Sequence, residues 1–399
     1  MRGSAPDITE RRSAVMTITI SILKETSEGE KRVAMVPSVA SRLERLGTTL
    51  SLQSGAGEPA TFADNGYAAG TTIVAETDQL VADADIVLAV QPPPIAVVQV
   101  MKPGAVLISF LYGANNPELV AALLQRKVTA LAMELIPRIS RAQSMDALSS
   151  QAALAGYYAP LLGAVHMPRI LPMMTTAVGS LRAAKVLVIG LGVAGLSALA
   201  TAHRLGAITE GYDVRPETKE QAQSLGAKFV DTGVDARGEG GYARELTAEE
   251  KERVEKALSQ HIAEADMIVT TAAVPGRPAP KLISAAQIAA MKPGSVIVDL
   301  GAEGGGNCEG TKPGETVTIG PATIIGPLNV PSALAQHASE LYAKNLLNLI
   351  GLIVKDGALN LDFEDEVIAG ATLTHAGEIR IKAVRERLEA QKDPAAANA

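Results

Sequence analysis

Short, nearly continuous apolar runs alternate along the chain with longer stretches in which apolar residues recur at helical spacing. The runs Ile18–Leu23, Ile86–Val90, Ala105–Phe110, Lys185–Ile189, Met267–Thr271 and Ser295–Leu300 predict strands. The stretches Val39–Leu46, Pro117–Gln125, Gly195–Leu205 and Thr218–Leu225 predict helices, as do Ala333–Val354 and His375–Gln391 near the end of the chain. Strand and helix in turn, with strands such as Val186-Leu187-Val188-Ile189 apolar throughout, imply parallel sheets covered by helices on both faces. The expected fold class is α/β, with two Rossmann-like doubly wound domains flanking a nucleotide-binding cleft.

Two halves echo one another. Met101-Lys102-Pro103-Gly104-Ala105-Val106 and Met291-Lys292-Pro293-Gly294-Ser295-Val296 each place a Pro-Gly turn ahead of a buried run. The organisation read from this is an N-terminal arm over 1–17, disordered, then a first domain over 18–145. A dinucleotide domain follows over 146–329, and the chain from about 330 to 399 returns to the first domain. Residues Asp231–Glu249 are glycine-rich, charged and without apolar period. They read either as a solvated surface insertion or as a lid over a ligand.

Composition narrows the classes. The 399 residues carry 36 Lys and Arg against 43 Asp and Glu, a net charge of −7, which speaks against non-specific nucleic-acid binding and against a polybasic membrane-surface protein. The single cysteine, Cys308, rules out an intrachain disulfide framework and a multi-thiolate metal site, and suggests a reducing, cytoplasmic setting. No signal-peptide pattern opens the chain. The apolar stretch from Val186 to Ala202 has the length of a short membrane span, but three glycines in nucleotide-type spacing explain it better.

Those glycines carry the chemistry. The run Val186–Ile189 leads into Gly190-Leu191-Gly192-Val193-Ala194-Gly195 and then an apolar helix, which is G-x-G-x-x-G between strand and helix. Gly190 permits the tight turn, Gly192 lets the backbone approach a pyrophosphate, and Gly195 lets helix and strand pack closely. The helix N-terminus offers N–H groups and a positive dipole end to the phosphates. Asp213 closes the run Glu210-Gly211-Tyr212-Asp213, roughly 20 residues on, where a carboxylate binds the adenosine ribose and repels a 2′-phosphate. That favours NAD(H). Arg215 pulls the other way, since an arginine accommodates the extra phosphate, and Asp213 also reads as a helix cap.

A second polar segment, Pro137-Arg138-Ile139-Ser140-Arg141-Ala142-Gln143-Ser144-Met145-Asp146-Ala147-Leu148-Ser149-Ser150-Gln151, lies where the two halves meet. Arg138, Gln143, Asp146 and Ser149 suit the carboxamide and charged parts of a dinucleotide; the same residues also suit a helix N-terminus capped by Ser144 or Asp146. The five histidines, His166, His203, His261, His337 and His375, show no metal-ligand spacing, and no hydrolase or P-loop motif occurs. No metal is expected.

Together the polar segment, the glycine loop and Gly211-Tyr212-Asp213-Val214-Arg215-Pro216-Glu217 resemble the NAD(H)-binding component of proton-translocating nicotinamide nucleotide transhydrogenase, in the alanine dehydrogenase/transhydrogenase family. Thr270-Thr271-Ala272 with Pro275-Gly276, and Gly305-Gly306-Asn307-Cys308, extend the match, which runs from about Ile18 to Lys382. The resemblance implies hydride exchange between NAD(H) on this chain and NADP(H) on a partner domain, coupled to proton movement through transmembrane partner subunits. It implies that Arg138, Gln143, Asp146 and Ser149 hold the nicotinamide end. Val193, Asp213, Val214, Arg215 and Ala273 would face the adenosine and pyrophosphate side, with Tyr242 on a loop that closes over the nucleotide. It further implies a homodimer, peripheral on the cytoplasmic face of the inner membrane and touching the membrane only through its partners.

Alanine dehydrogenase is the rival within this resemblance, sharing Lys31-Arg32-Val33-Ala34. Such enzymes need a lysine and a histidine to handle the keto acid. Here no lysine occurs between Lys31 and Lys102, and Tyr112 stands in place of the histidine. A phenol with a pKa of ~10 makes a poor general base near neutrality. Hydride transfer directly between nucleotides needs positioning and no such base.

Overall fold

The structure is a computed structural model, and it describes residues 17–236, 244–272, 278–355 and 357–392. The expected disordered arm falls almost wholly outside them. The chain divides into two units, one of residues 1–25, 33–137 and 343–399, the other of 26–32 and 138–342. The passage between them at Pro137–Arg138 places the polar segment from Arg138 onward in the second unit, together with the helix Ala147–His166 that follows it.

In the first unit six parallel strands run in the order Thr72–Val74, Thr48–Gln53, Ile18–Ile22, Ile86–Leu88, Val106–Ser109 and Thr129–Ala132. The first three in the chain succeed one another outward and the chain then crosses back, as in a doubly wound fold. An antiparallel strand, Thr372–His375, adds to this sheet beside Thr129–Ala132, and Glu378–Ile379 pairs beyond it. This corrects the helix predicted over His375–Gln391: only Lys382–Lys392 is helical. The reason is local. Thr372 and Thr374 are β-branched and buried, and Ala376 and Gly377 take positive φ (51° and 89°), which turns the chain instead of continuing a helix.

The second unit carries a seven-stranded sheet in the order Lys228–Phe229, Ile208–Tyr212, Lys185–Ile189, Met267–Thr270, Ser295–Asp299, Ala322–Ile325 and Thr316–Ile319. All neighbours are parallel except the last pair. The alternation of its strands sorts residues to opposite faces. Val186, Val188, Met267, Val269, Val296 and Val298 pack with Ala159, Ala198, Leu199 and Ala202 on one side. Leu187, Ile189, Ile268, Ile297 and Ile324 pack with Leu258, Ile262 and Ile288 on the other. Both faces are covered, and that is why these strands are apolar at every position.

The repeated Met-Lys-Pro-Gly turn occupies the same place in both sheets, immediately before the strand that comes fifth in chain order. Gly104 and Gly294 take φ of 82° and 79° there. Such values suit glycine, which has no Cβ to clash.

Candidate functional site

The order reversal of the second sheet lies between Lys185–Ile189 and Met267–Thr270, and ligands of open α/β sheets bind at the carboxyl ends of strands at such a point. The glycine loop leaves the first of these strands. Gly190 turns with φ of 94°, and a Cβ there would stand 2.8 Å from Thr271 Oγ1. That hydroxyl donates to the Gly190 carbonyl at 2.8 Å, tying the loop to the end of the neighbouring strand. At Gly195 a Cβ would fall 1.8 Å from the Gly190 carbonyl oxygen, so the loop closes only with glycine. Gly192 is different: its φ of −76° is ordinary, and nothing lies within 4 Å of where its Cβ would be. Here the glycine serves the space in front of the loop, into which a side chain would project.

The helix Val193–Arg204 begins at that point. The N–H groups of Val193, Ala194 and Gly195 belong to its first turn, ahead of the helix's own hydrogen-bond ladder, and so are available to an anion. Val193 is exposed beside them.

Asp213 is drawn into the same loop. Its Oδ2 accepts from the Leu191 N–H at 2.7 Å and from Arg215 Nη2 at 2.8 Å; its Oδ1 accepts from the Arg215 N–H and Nε, both at 2.9 Å. The Asp213 carboxylate raises the affinity of the Arg215 guanidinium for its proton. The two residues that compete as signals in the sequence are one bidentate pair, and Arg215 is turned toward Asp213. Val214, next in the chain, accepts from the Ala236 N–H at 2.9 Å, which fixes the start of the glycine-rich connection. Tyr242 and Ala273 lie outside the described residues.

Of the polar segment, Ser140–Met145 forms a 3-10 turn anchored by buried Ala142 and Met145, while Gln143 is exposed and Arg138 partly so. Asp146 is the N-cap of the helix Ala147–His166, accepting from the Ser149 N–H at 2.9 Å and its hydroxyl at 2.6 Å. Capping and ligand binding, set against each other in the sequence, converge on these two residues. The helix then crosses the first turn of the glycine-loop helix. A Cβ on Gly156 would meet the Ala194 carbonyl at 2.0 Å, and Ser197 Oγ donates to the Ala153 carbonyl at 2.7 Å. One helix therefore links the polar segment to the glycine loop by close backbone packing.

Nothing in the sequence pattern marks Asp299. Fully buried at the end of Ser295–Asp299, it accepts from Thr270 Oγ1, Gly301 N, Asn307 N, Cys308 N and Thr311 Oγ1 at 2.6–3.1 Å. Asn307, so held, grips Ala272 at both its N–H (3.1 Å) and its carbonyl (2.8 Å). The network thereby orders the end of the strand that faces the glycine loop. Burial and the nearby Asp299 push the Cys308 thiol well above its usual range, so it is no nucleophile.

The first unit treats its own order reversal differently. Glu25 accepts there from the N–H groups of Val90 (2.6 Å) and Gln91 (3.2 Å), so a carboxylate of the chain occupies donors that would otherwise face an anion. Glu134 does the same for Leu111 (3.0 Å) and Tyr112 (2.6 Å). Among the described residues no cluster of three or more His, Cys, Asp or Glu is arranged to hold a metal, and no helix is long and apolar enough to cross a membrane.

The doubly wound sheet, the glycine loop and its acidic partner define a Rossmann-like, nucleotide-binding oxidoreductase fold. Comparison with known proteins narrows the class. The sequence matches the family models for the alanine dehydrogenase/PNT N-terminal domain over residues 21–155 and C-terminal domain over 159–382. It is 46% identical over 372 residues to a chain of NAD(P) transhydrogenase subunit alpha from Rhodospirillum rubrum, covering 90% of this chain and 97% of that one. Alanine dehydrogenase of Mycobacterium tuberculosis is 33% identical over 298 residues, covering 74% of this chain and 75% of that one. The crystal structure of transhydrogenase from Sinorhizobium meliloti superposes with a TM-score of 0.80 at 40% identity, covering 92% of this chain and 99% of the other. The chain belongs to the alanine dehydrogenase/PNT family.

Proposed function

We propose that this chain binds NAD(H) at the glycine loop of its second unit and exchanges hydride with NADP(H) held on a partner domain. Transmembrane partner subunits would couple that exchange to proton translocation. The observation that carries the nucleotide reading is the Asp213 carboxylate, fastened to the Leu191 N–H of the glycine loop at 2.7 Å. There it meets a ribose diol and repels a 2′-phosphate. The amides at the start of Val193–Arg204 would hold the pyrophosphate, and Arg138, Gln143, Asp146 and Ser149 would hold the nicotinamide end. Bound NADH supplies the hydride. What the chain supplies is placement, since direct transfer needs the two nicotinamides ~3–3.5 Å apart and no proton donor.

Likeness to the transhydrogenase alpha subunits, at higher identity and coverage than to alanine dehydrogenase, supports this reading over the amino-acid dehydrogenase one. So does Tyr112, whose left-handed backbone (φ 46°) is held by Glu134 where a dehydrogenase would need a histidine. The chain would act as a homodimer, peripheral on the cytoplasmic face through its partners. An apolar hairpin, Met174–Thr176 with Gly179–Leu181, supports self-association. Met173 and Leu181 are 70% and 54% exposed and Val178 is 98% exposed, an unusual display for a short two-stranded ribbon standing alone.

The deciding experiment incubates the chain with NADH and an NADP(H) analogue, with and without the partner's soluble NADP-binding domain, beside pyruvate plus ammonia. Turnover that requires the partner domain supports the proposal. Turnover with pyruvate and ammonia alone would hand the site to the dehydrogenase reading. Gln143→Asn should slow transfer far more than it weakens NADH binding, and equal losses would remove Gln143 from the transfer site.

A further inference from the structure

Arg32 and Glu30 form a buried ion pair within the second unit, far in sequence from everything else they touch. Arg32 forks onto Glu30 through Nε (2.8 Å) and Nη2 (2.6 Å), and Nη2 also reaches Asn329 Oδ1 at 3.2 Å. Glu30 further accepts from Ser332 Oγ (2.6 Å) and Asn329 Nδ2 (3.1 Å). The remaining terminal nitrogen, Nη1, donates to Gln151 Oε1 at 2.9 Å. The Gln151 amide is used at both ends, because its Nε2 donates to the Ala338 carbonyl at 3.1 Å. Gln151 sits in the second turn of the helix Ala147–His166, between the Asp146–Ser149 cap and the Gly156 crossing.

A buried ion pair is a poor device for stability alone, since well-packed apolar residues of similar volume often do as well. What it offers is direction. The planar guanidinium has fixed donor angles, and with two of its edges committed to Glu30 the third points one way only. Sliding or rotating the helix would strand Arg32 Nη1 and the Gln151 amide without partners in a buried place, a cost that apolar contacts do not impose.

We propose that the Arg32–Glu30 pair, acting through Gln151, is a positioning device for hydride transfer: it sets where the helix Ala147–His166 stands, and so where Asp146 and Ser149 lie relative to the glycine loop. The proposal rests on the transhydrogenase reading for its effect on rate, while its structural half is independent of it. Arg32, Glu30 and Gln151 are positioning residues, remote from the chemistry.

Gln151→Met keeps length and apolar volume but cuts the link, leaving the ion pair intact. It should lower the transfer rate on the order of tenfold or more, because small misplacements are costly in such reactions. The NADH dissociation constant should stay within about threefold, since the glycine loop and Asp213 are untouched. Hydrogen exchange of amides 147–151 should quicken while that of 185–189 does not. Gln151→Glu restores an acceptor for Arg32 and should recover most of the rate. Arg32→Lys retains the charge for Glu30 but not the fork, and should resemble Gln151→Met, giving a second route if that variant folds poorly. Folded Gln151→Met with unchanged rate and unchanged exchange at 147–151 would overturn the proposal. A parallel fall of rate, affinity and protection throughout the second unit would overturn it too, as that is what a merely structural role gives. If the unaltered chain transfers no hydride beside the partner domain, the transhydrogenase reading has failed. The exchange pattern of the variants then decides the positioning claim by itself.

Discussion

Asp85 and Asp266 stand at the same point of two separate sheets, immediately before the strand that comes fourth in chain order, and bind the same set of groups. Asp85 accepts from the backbone N–H of Thr19 (2.8 Å) and from Lys102 Nζ (2.7 Å); Asp266 accepts from the backbone N–H of Lys185 (2.9 Å) and from Lys292 Nζ (3.0 Å). In each case the N–H belongs to the first strand of the sheet and the lysine to the Met-Lys-Pro-Gly turn. The verbal echo between the halves is thus the visible trace of one repeated joint, in which a single carboxylate ties the first, fourth and fifth strands.

The two joints differ in burial, and a prediction follows from that. The Asp266 side chain is 6% exposed and that of Asp85 29%. Asp266→Ala strands buried donors and should destabilise the second unit by about 1–3 kcal/mol. Asp85→Ala should cost its own unit less, because water replaces the lost acceptor. Urea unfolding of the two variants measures both, and equal losses would show that burial does not set the difference.

Gly192 and Gly195 should separate binding from folding. Gly195→Ala forces backbone apart and should cost about 1–3 kcal/mol of stability, as overpacking does. Gly192→Ala meets no atom within 4 Å at an ordinary φ, so stability should change by less than about 1 kcal/mol. Its methyl group would nonetheless obstruct a pyrophosphate, and NADH affinity should fall on the order of tenfold or more. Thermal unfolding beside NADH fluorescence titration reads both, and full affinity in Gly192→Ala would refute the assignment of the loop.

Asp213→Ala removes the acceptor for a ribose diol and releases Arg215. NADH should bind on the order of tenfold more weakly, from losing charge-assisted hydrogen bonds of ~1.5–3 kcal/mol. NADPH should lose less or gain, since a guanidinium no longer held by Asp213 can meet its 2′-phosphate. Parallel titrations with the two nucleotides check this, and an unchanged preference would mean that discrimination resides elsewhere.

The first unit should lose stability in mild acid through His375. Its ring packs on Phe363 at 4.6 Å and Nδ1 lies 2.9 Å from Thr129 Oγ1. Burial, and then the positive charge of Arg380, hold its pKa below the ordinary 6.5. The unfolded chain therefore takes up a proton that the folded one refuses. The contribution is fully present above 6.5 and is lost as pH falls through that value toward the folded one. Comparing unfolding at about pH 7.5 and about pH 5.5, the His375→Gln variant should lose less stability than the unaltered chain. Identical losses would mean that other groups govern the acid limb.

Whatever depends on local period and on single backbone conformations is legible along the chain before any fold is known. Continuous apolar runs mark strands covered on both faces, and Gly190, Gly192 and Gly195 mark the loop because turn, approach and packing each exclude a side chain there. Asp213 is legible by its offset, which the strand-turn-helix-strand lengths fix. No such signal shows that Asp213 is already clasped by Arg215, nor that Thr372–His375 leaves helical order to join the first sheet. Those relationships exist only once the chain has folded, as do the assembly of Glu30, Arg32, Gln151, Asn329 and Ser332 and the five donors converging on Asp299. Polar side chains impose no period on the chain, and their partners lie as far as 302 residues away. A buried carboxylate looks like any other aspartate or glutamate until the fold brings its donors to it.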